Sequence, residues 1–326
     1  MKKKKKIIVV IALALLIVLL ALGVLIGVGN KTANSQPERI YLPDGTTHEA
    51  LVDTLRAHRI IGEGLEYNIF NVQCSIFNSK IRAGSYVVEP RMKTLTLLRR
   101  LRNGQQSPIR LTIGKFRTPQ QLNKFLNRKL MHNDFNIPLD SFYLIRPNTY
   151  EFYWTVTPEQ FMQRMEKEYH SFWSTRSAKE YKEYKTNAAQ EIIVLASIVE
   201  EETNNNAEKP LIASVYLNRL KRGIPLQADP TVKYSVGDFS LQRILNRHLA
   251  VESPFNTYLH TGLPPAPICL PSNASVDAVL NAPETNYIYF CASDKMDGTH
   301  CFATTLAEHN RNAAAFHRAL NARGIK

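Results

Sequence analysis

Apolar and polar residues follow the same plan three times between residues 40 and 130. Each repeat begins with a short strand-like run, passes through a turn or cap, and continues as a helix with apolar residues at helical spacing. The predicted strands cover 40–42, 85–89 and 110–113, and the helices after them start at Thr46 or Thr47, at Thr94 and at Thr118-Pro119. Short strands alternating with short helices predict a small α+β domain.

The apolar pattern is densest in the stretch from Glu191 to Thr203, which reads EIIVLASIVEEET. This run predicts a buried helix, and three carboxylates, Glu200 to Glu202, follow it directly. A carboxyl group in an apolar cleft has a raised pKa and can donate a proton near neutral pH. The alternative is a buried helix whose end emerges into water. Because the apolar run is nearly continuous, helical spacing does not decide which glutamate faces a cleft.

Further elements are predicted towards the C-terminus. One helix runs from Pro210 to Gly223, and another starts at Asp229, which acts as its cap before Pro230. A proline-containing stretch, 253–275, is predicted to be a functional loop. In the hairpin over 287–303, pairing of residues 290 and 302 would place Cys291 opposite Cys301. A disulfide between them and two free thiols are both compatible with the sequence.

The N-terminus has the pattern of a membrane anchor. Lys2 to Lys6 precede a 23-residue apolar run, 7–29, which as a helix is about 34 Å long and could cross a hydrocarbon core of about 30 Å. A cleavable signal peptide is the alternative. The predicted layout is a cytoplasmic tail (1–6), a transmembrane helix (7–29) and a tether (30–38). The positive-inside rule then places the rest in the periplasm or cell-wall space of a bacterium, on the cytoplasmic (inner) membrane.

The net charge of +13 is compatible with a polyanionic partner. The predicted extracytoplasmic location favours a membrane surface or an anionic wall polymer and argues against nucleic acid. We found no zinc-ligand spacing, no GxSxG elbow and no phosphate-binding glycine loop, so no metal or cofactor is expected. A two-carboxylate glycosidase needs a second acid, for which Asp229, Asp277 and Glu252 are the possibilities. Since the spacing selects none of them, a mechanism with one carboxyl group fits the acidic residues of the sequence better.

Six blocks resemble the YceG-like endolytic murein transglycosylase family in their order and spacing. They are ASIVEEET (196–203), SVYLNRL (214–220), LQADPTVKY (226–234), SPFNTY (253–258), TGLPP (261–265) and HCFATTLAEHN (300–310). GSYVVEP (84–90) and PNTYEF (147–152) resemble the family's upstream segments. Asn148 and Ser272-Asn273 depart from the family pattern, and we expect neither departure to affect the acidic motif.

The resemblance implies an α+β chain with an N-terminal transmembrane helix, a LysM-like glycan-binding module at 39–115 and a mixed α/β catalytic domain at 116–326. It places the catalytic acid at Glu200, gives Glu202 and Thr203 supporting roles, and leaves Glu201 facing solvent. Polar groups that could bind the substrate are Gln227, Asp229, Asn218, Asn256, His300 and Asn310. For each of these, a cap or scaffold role is the alternative.

The activity implied by the resemblance is that of a lytic transglycosylase, a lyase that cleaves the β-1,4 bond between N-acetylmuramic acid and N-acetylglucosamine. Glu200 would protonate the leaving oxygen, then accept the proton of the muramic 6-hydroxyl as it attacks C1 and closes a 1,6-anhydro ring. Such an enzyme would terminate or trim growing glycan strands beside cell-wall synthesis proteins. The alternatives are a catalytically idle peptidoglycan-binding scaffold and a muramidase that uses water.

Overall fold

The computed structural model describes residues 2–27, 30–77, 80–176, 188–241 and 243–324. The chain forms two compact units. The first comprises residues 1–111, 129–132 and 151–156, and the second comprises 112–128, 133–150 and 157–326. The boundary at residue 115 stays a prediction, and the two short later segments of the first unit have no signal in the sequence.

The first unit has the element order α1 (Lys2–Gly27), β1 (Glu38–Leu42), α2 (His48–Ala57), α3 (Leu65–Phe77), β2 (Gly84–Val88) and α4 (Thr94–Asn103). Strands β1 and β2 pair antiparallel, with Ile40 opposite Tyr86. The apolar faces of α2 and α4 and residues of α3 close one core with these strands. Helix α3 was not predicted, because its weakly amphipathic sequence lacks a cap signal.

Helix α1 covers the five lysines and most of the predicted transmembrane run, whose residues 28 and 29 lie outside the described part. Its described apolar side chains from Ile7 to Leu20 are exposed. Across the described residues, no helix is long and apolar enough to cross a membrane.

Strand β3 (Ile109–Ile113) pairs with β4 (Asn148–Phe152). The remaining elements are α5 (Pro119–Lys129), a 3-10 turn (Leu139–Leu144), α6 (Pro158–Ser174), α7 (Ala188–Glu202), α8 (Lys209–Lys221), α9 (Asp229–Val236), α10 (Asn246–Leu249), α11 (Asn273–Leu280), β5 (Tyr289–Ala292), β6 (His300–Ala303) and α12 (Leu306–Ala322). The predicted hairpin is confirmed, since β5 and β6 pair antiparallel with Phe290 opposite Phe302. Cys291 and Cys301 therefore lie opposite each other, as free thiols.

Local capping signals in the sequence had mixed outcomes. The side chains of Thr47 and Thr157 accept hydrogen bonds from Ala50 and Gln160, as expected of helix caps. Thr94 and Asp229, by contrast, are the first helical residues rather than the caps that the sequence predicted. Their side chains are engaged elsewhere: the Thr94 hydroxyl, for example, lies 2.6 Å from Oε1 of Gln73.

Helix α7 forms the centre of the second unit's core. All residues from Ile193 to Val199 are buried, and they pack among residues of α8, α11 and the loop that ends at Ile268. The sequence prediction of a buried helix is therefore confirmed. Burial on every side fixes the rotation of the helix, and this rotation determines where the three glutamates at its end point.

Candidate active site

The last three residues of α7, Glu200 to Glu202, point in three different directions. Successive residues of an α-helix are rotated by about 100°, so adjacent side chains cannot share a face. The helix end is packed against several elements, and each carboxylate contacts a different set of partners.

Glu200 binds to the N-terminus of α11 and to a buried lysine. Its Oε2 accepts hydrogen bonds from the hydroxyl groups of Ser272 at 2.6 Å and Ser275 at 2.5 Å, and from the backbone N–H of Ser272 at 3.3 Å. The ammonium group of Lys209, whose side chain is 4% exposed, lies 3.1 Å from the same oxygen. Ser272 is the N-cap of α11, so Glu200 also benefits from the positive end of that helix dipole.

These contacts correct the prediction that Glu200 has a raised pKa. Burial raises the pKa, but hydrogen bonds from Ser272, Ser275 and Lys209 outweigh it and leave the pKa below its ordinary value. Glu200 is therefore a carboxylate at neutral pH. The expectation that the departure at Ser272 leaves the acidic motif untouched is also wrong, because Ser272 contacts Glu200 directly.

Glu201 does not face solvent, contrary to the sequence prediction. Its side chain is 14% exposed and forms a two-pronged contact with Arg117, with N–O distances of 3.1 and 2.9 Å. The ammonium group of Lys115 lies 3.3 Å from Oε1 of the same carboxylate. Both oxygens are held by cations, which suits a structural ion pair.

Glu202 has the acid–base property that the sequence analysis sought at Glu200. Its Oε1 accepts a hydrogen bond of 2.5 Å from the hydroxyl group of Tyr216, a residue of α8 that is 1% exposed. Burial and, to a smaller extent, the nearby charge of Asp229 raise the pKa of Glu202, the Tyr216 hydrogen bond lowers it, and the net pKa is about 7. A carboxyl group with a pKa near neutrality can both donate and accept a proton under physiological conditions.

Asp229 and Tyr258 form a second carboxylate–tyrosine pair beside Glu202. The Tyr258 hydroxyl donates to Oδ1 of Asp229 at 2.7 Å, and Asp229 is exposed at the start of α9. The charge of Glu202 contributes to a raised pKa of Tyr258, after burial and the contact with Asp229, so the two pairs are electrostatically coupled. A partly open cluster with two acids and two phenols has the donors and acceptors that sugar hydroxyls require.

Gln227 lies on the loop that leads into this cluster. Its φ of +50° is rare for a residue with a side chain, and such strain persists only where the surroundings hold it. Here the backbone N–H of Gln227 donates to the carbonyl of Thr257, and its Oε1 accepts from Arg219 at 3.2 Å. The exposed Gln227 is therefore held in place between the α8 helix and the 253–263 loop.

Helices α7, α8 and α9 and the 253–263 loop, which surround Glu202, lie within the range matched by a family profile. The family's sequence profile, described as the YceG-like family, matches residues 40–315 of the chain. The chain belongs to the YceG-like family.

Relatives of this YceG-like chain carry a common description. The Endolytic murein transglycosylase of Bacillus subtilis (strain 168) is 37% identical over 190 residues, which cover 58% of this chain and 49% of that protein. The Endolytic murein transglycosylase of Streptococcus pneumoniae serotype 2 (strain D39 / NCTC 7466) is 26% identical over 325 residues, with 84% of this chain and 57% of that protein covered. The chain thus spans about half the length of these relatives.

A solved structure resembles the fold. The crystal structure of a YceG-like protein from Listeria monocytogenes has a TM-score of 0.52 and 26% sequence identity, and the match covers 85% of this chain and 99% of that one. The likeness extends over most of both chains, so the architecture described here is the family's fold.

Other predicted substrate-binding residues of this YceG-like chain are engaged in holding the scaffold. The amide group of Asn218 donates to the carbonyls of Thr285 and Tyr287. Asn256 is fully buried, and its amide donates to the carbonyls of Leu249 and Val251, so it cannot line an open groove as predicted. These asparagines tie loops to their neighbours.

His300, Asn310 and Thr203 also lie outside the Glu202 cluster. The Nδ1 of His300 is 3.0 Å from Oε2 of Glu208, and its backbone N–H donates to the same carboxylate. Asn310 is exposed on α12, whereas Thr203 is buried and its hydroxyl accepts from the backbone N–H of Asn205. The structure therefore brings Asp229 near Glu202, with Gln227 two positions before Asp229, whereas the cluster does not include Asn218, Asn256, His300, Asn310 and Thr203.

Sequence reasoning missed Tyr216 and Tyr258 as members of the cluster. Each lies inside a segment that resembles the family, but a tyrosine in an apolar helix or a loop is usually interpreted as a core residue. One signal could have pointed to Tyr216: it is 14 positions from Glu202, in the helix that follows α7. Two successive core helices bring such residues into contact when they pack side by side.

Proposed function

We propose that this chain is an endolytic peptidoglycan lytic transglycosylase. It cleaves the β-1,4 bond between N-acetylmuramic acid and N-acetylglucosamine and leaves a 1,6-anhydro-muramic end, thereby terminating or trimming glycan strands. Family membership and the descriptions of the relatives support the substrate class. No cofactor is required by the proposed reaction.

The observation that carries the proposal is the environment of Glu202 at the end of α7, where the hydroxyl group of the buried Tyr216 lies 2.5 Å from Oε1 and burial raises the pKa of the carboxyl group. One carboxyl group must first be protonated, to give its proton to the leaving oxygen, and then ionised, to take the proton of the 6-hydroxyl that attacks C1. A pKa of about 7 populates both forms. Glu200 starts as a carboxylate with four donors on one oxygen, which suits an anchor better than an acid. We therefore assign the acid–base role to Glu202 in place of Glu200.

A water-using muramidase is the second candidate, and the charge of Asp229 near Glu202 favours it. Asp229 lies close enough to Glu202 to raise its pKa, and it is exposed to solvent. A second carboxylate near the acid is what a hydrolase needs to activate water or form a glycosyl intermediate. The two reactions differ in their product ends: anhydro ends from the transglycosylase, reducing muramic ends from the muramidase.

The experiment is digestion of intact glycan strands by the full-length chain in detergent, with mass spectrometry of the product ends. We expect anhydro ends, and reducing muramic ends alone would sink the transglycosylase. Substitution Glu202→Gln should lower activity by at least about 100-fold, the usual contribution of general acid–base catalysis. Glu191→Gln, at an exposed position of the same helix, is the matched control and should retain full activity.

Glu200→Gln separates the two assignments. We expect it to retain measurable activity per folded molecule, after correction for the folded fraction by circular dichroism, because Glu200 anchors α11 rather than reacting. If Glu200→Gln abolishes activity in fully folded protein while Glu202→Gln retains it, the acid is Glu200. Full activity in both variants would contradict both assignments, whereas no activity in the unsubstituted chain would support the idle scaffold.

The N-terminal part has two proposed roles that rest on the sequence. The run 7–29 anchors the chain in the cytoplasmic membrane, supported by the exposed apolar side chains of α1. Residues 39–115 form a LysM-like glycan-binding module, supported by two helices inserted between the paired strands β1 and β2. With these two roles, the proposed reaction takes place outside the cytoplasm, next to nascent strands and the cell-wall synthesis proteins that make them.

A further inference from the structure

Tyr216 holds one oxygen of Glu202 in a fixed position. The tyrosine is 1% exposed, and its ring packs edge-on against Phe290 of β5, with centroids 5.8 Å apart and planes at 89°. A ring enclosed in this way cannot swing its hydroxyl elsewhere without opening the core. The 2.5 Å hydrogen bond to Oε1 of Glu202 is therefore a permanent feature of the folded unit.

The two oxygens of Glu202 are consequently not equivalent. Oε1 accepts from Tyr216, whereas among the described residues Oε2 has no hydrogen-bond partner. In a neutral carboxylic acid, the oxygen that accepts a strong hydrogen bond is the carbonyl oxygen, and the proton is on the other. The proton of neutral Glu202 thus resides on Oε2, the oxygen that is left for a ligand.

We propose that Tyr216 is a positioning residue, which by holding Oε1 of Glu202 assigns the whole proton exchange to Oε2. This inference rests on the proposed function. In the first step, the O–H bond at Oε2 breaks, its proton goes to the glycosidic oxygen, and the bond from that oxygen to C1 breaks. In the second, the muramic 6-oxygen bonds to C1 and its proton goes to Oε2. Glu202 ends in the form in which it began, so the atoms balance.

The Tyr216 hydrogen bond also offsets other charges around Glu202. A hydroxyl donor stabilises the carboxylate form more than the neutral form, so it lowers the pKa of Glu202. The groups that face Glu202 act in both directions: Asp229 and Glu201 raise its pKa, whereas Lys233 acts in the same sense as Tyr216. Tyr258 is coupled to it electrostatically. Tyr216 is the group whose hydroxyl can be removed while the ring and the other charges stay.

The test is Tyr216→Phe in the full-length chain, with two independent readouts. The first is the difference in unfolding midpoint between a chain with Glu202 and the same chain with Glu202→Gln, followed from pH 4 to 10. This difference grows with pH until the folded-state pKa of Glu202 is reached and then levels off. The second is the pH profile of kcat/KM on glycan strands.

In Tyr216→Phe, we expect the difference in unfolding midpoint to level off at a pH about one to two units higher. A shift of this size corresponds to the loss of one hydrogen bond to a charged group. The alkaline limb of the activity profile should move by the same amount. Tyr150→Phe is the control, because it removes the hydroxyl of an equally buried tyrosine in the same unit that bonds a backbone carbonyl. It should leave both readouts unchanged.

A merely structural role for Tyr216 would give a lower unfolding midpoint with no change in the levelling pH or in the activity profile. That result overturns the proposal. If the unsubstituted chain cleaves no glycan, the proposed function fails, while the stability readout still decides whether Tyr216 sets the protonation of Glu202.

Discussion

Glu200 and Glu202 have opposite pKa shifts although one residue separates them. Glu200 receives its hydrogen bonds on a single oxygen from donors that include a buried ammonium group, whereas Glu202 is desolvated with one phenol as partner and a second acid nearby. Burial alone would raise both pKa values. The number and charge of the donors decide the direction, and these come from other segments of the chain.

The raised pKa of Glu202 predicts a pH-dependent stability. The folded-state pKa of about 7 lies above the ordinary value of 4.5. The contribution of Glu202 to the free energy of unfolding is therefore fully present below pH 4.5 and is lost as pH rises through 7. The loss amounts to about 3 kcal/mol. Glu202→Gln should therefore match the unsubstituted chain near pH 4.5 and exceed it by up to this amount at pH 8, measured by chemical denaturation. A difference that is flat across this range, as we expect for the exposed control Glu191→Gln, would contradict the prediction.

At the scale of elements, Glu200 joins three helices. It lies in the last turn of α7, binds Lys209 at the start of α8 and binds the N-terminus of α11 through Ser272 and Ser275. Ser272 and Ser275 lie 72 and 75 positions further along the chain. The contact therefore forms only when the unit folds.

Lys209→Met should destabilise the second unit by about 3–5 kcal/mol, because it leaves the mostly buried Glu200 carboxylate without its cation. The double substitution of Lys209→Met with Glu200→Gln should recover much of the loss, since no buried charge then remains. Lys221→Met, at an exposed position of the same helix, serves as the control. Urea denaturation measures all three, and equal stability of Lys209→Met and Lys221→Met would refute the buried pair.

The β5–β6 hairpin was predicted correctly because its register depends on local geometry. Cross-strand neighbours lie about 4.5–5.5 Å apart at Cα, within the range that a disulfide spans. Mild oxidation of the folded chain should therefore join Cys291 to Cys301. Cys74 and Cys269 should stay reduced, because burial raises the pKa of Cys74 to about 12 and that of Cys269 well above its ordinary value.

Peptide mapping after oxidation would identify the linked residues. The expected pattern is one intramolecular bond between the hairpin cysteines, with the unfolding midpoint raised by the crosslink. The Cys291→Ser variant should form no intramolecular bond. A bond that includes Cys74 or Cys269 would be inconsistent with the register and burial described above.

Local and long-range features of the fold differ in how far the sequence predicts them. The Thr47 cap and the hairpin act within a few residues, and both were predicted from spacing alone. The buried helix α7 was predicted because a long run of apolar residues is expected to lie in the protein interior. The choice between Glu200 and Glu202 could not be made in this way, because the phenol and hydroxyl groups that set their pKa values come from later segments.

At the scale of the whole molecule, the proposed anchor and the proposed catalytic unit belong to one chain. We expect the full-length chain to sediment with membranes and to remain there after an alkaline wash, because the described apolar side chains from Ile7 to Leu20 are exposed and would enter the bilayer. A chain that begins at Asn30 should be released into the soluble fraction. Recovery of the full-length chain in the soluble fraction would contradict the anchor.

The three neighbouring glutamates at the end of α7 also make the length of that helix critical. Inserting one residue between Ala188 and Val199 would rotate all three by about 100° relative to the packed face. Each carboxylate would then approach the partners of a neighbouring glutamate. The cations Arg117 and Lys115 would no longer face Glu201, and the serines of α11 would no longer face Glu200. Substitutions along α7 can change one function at a time, whereas a single-residue insertion or deletion would change all three together.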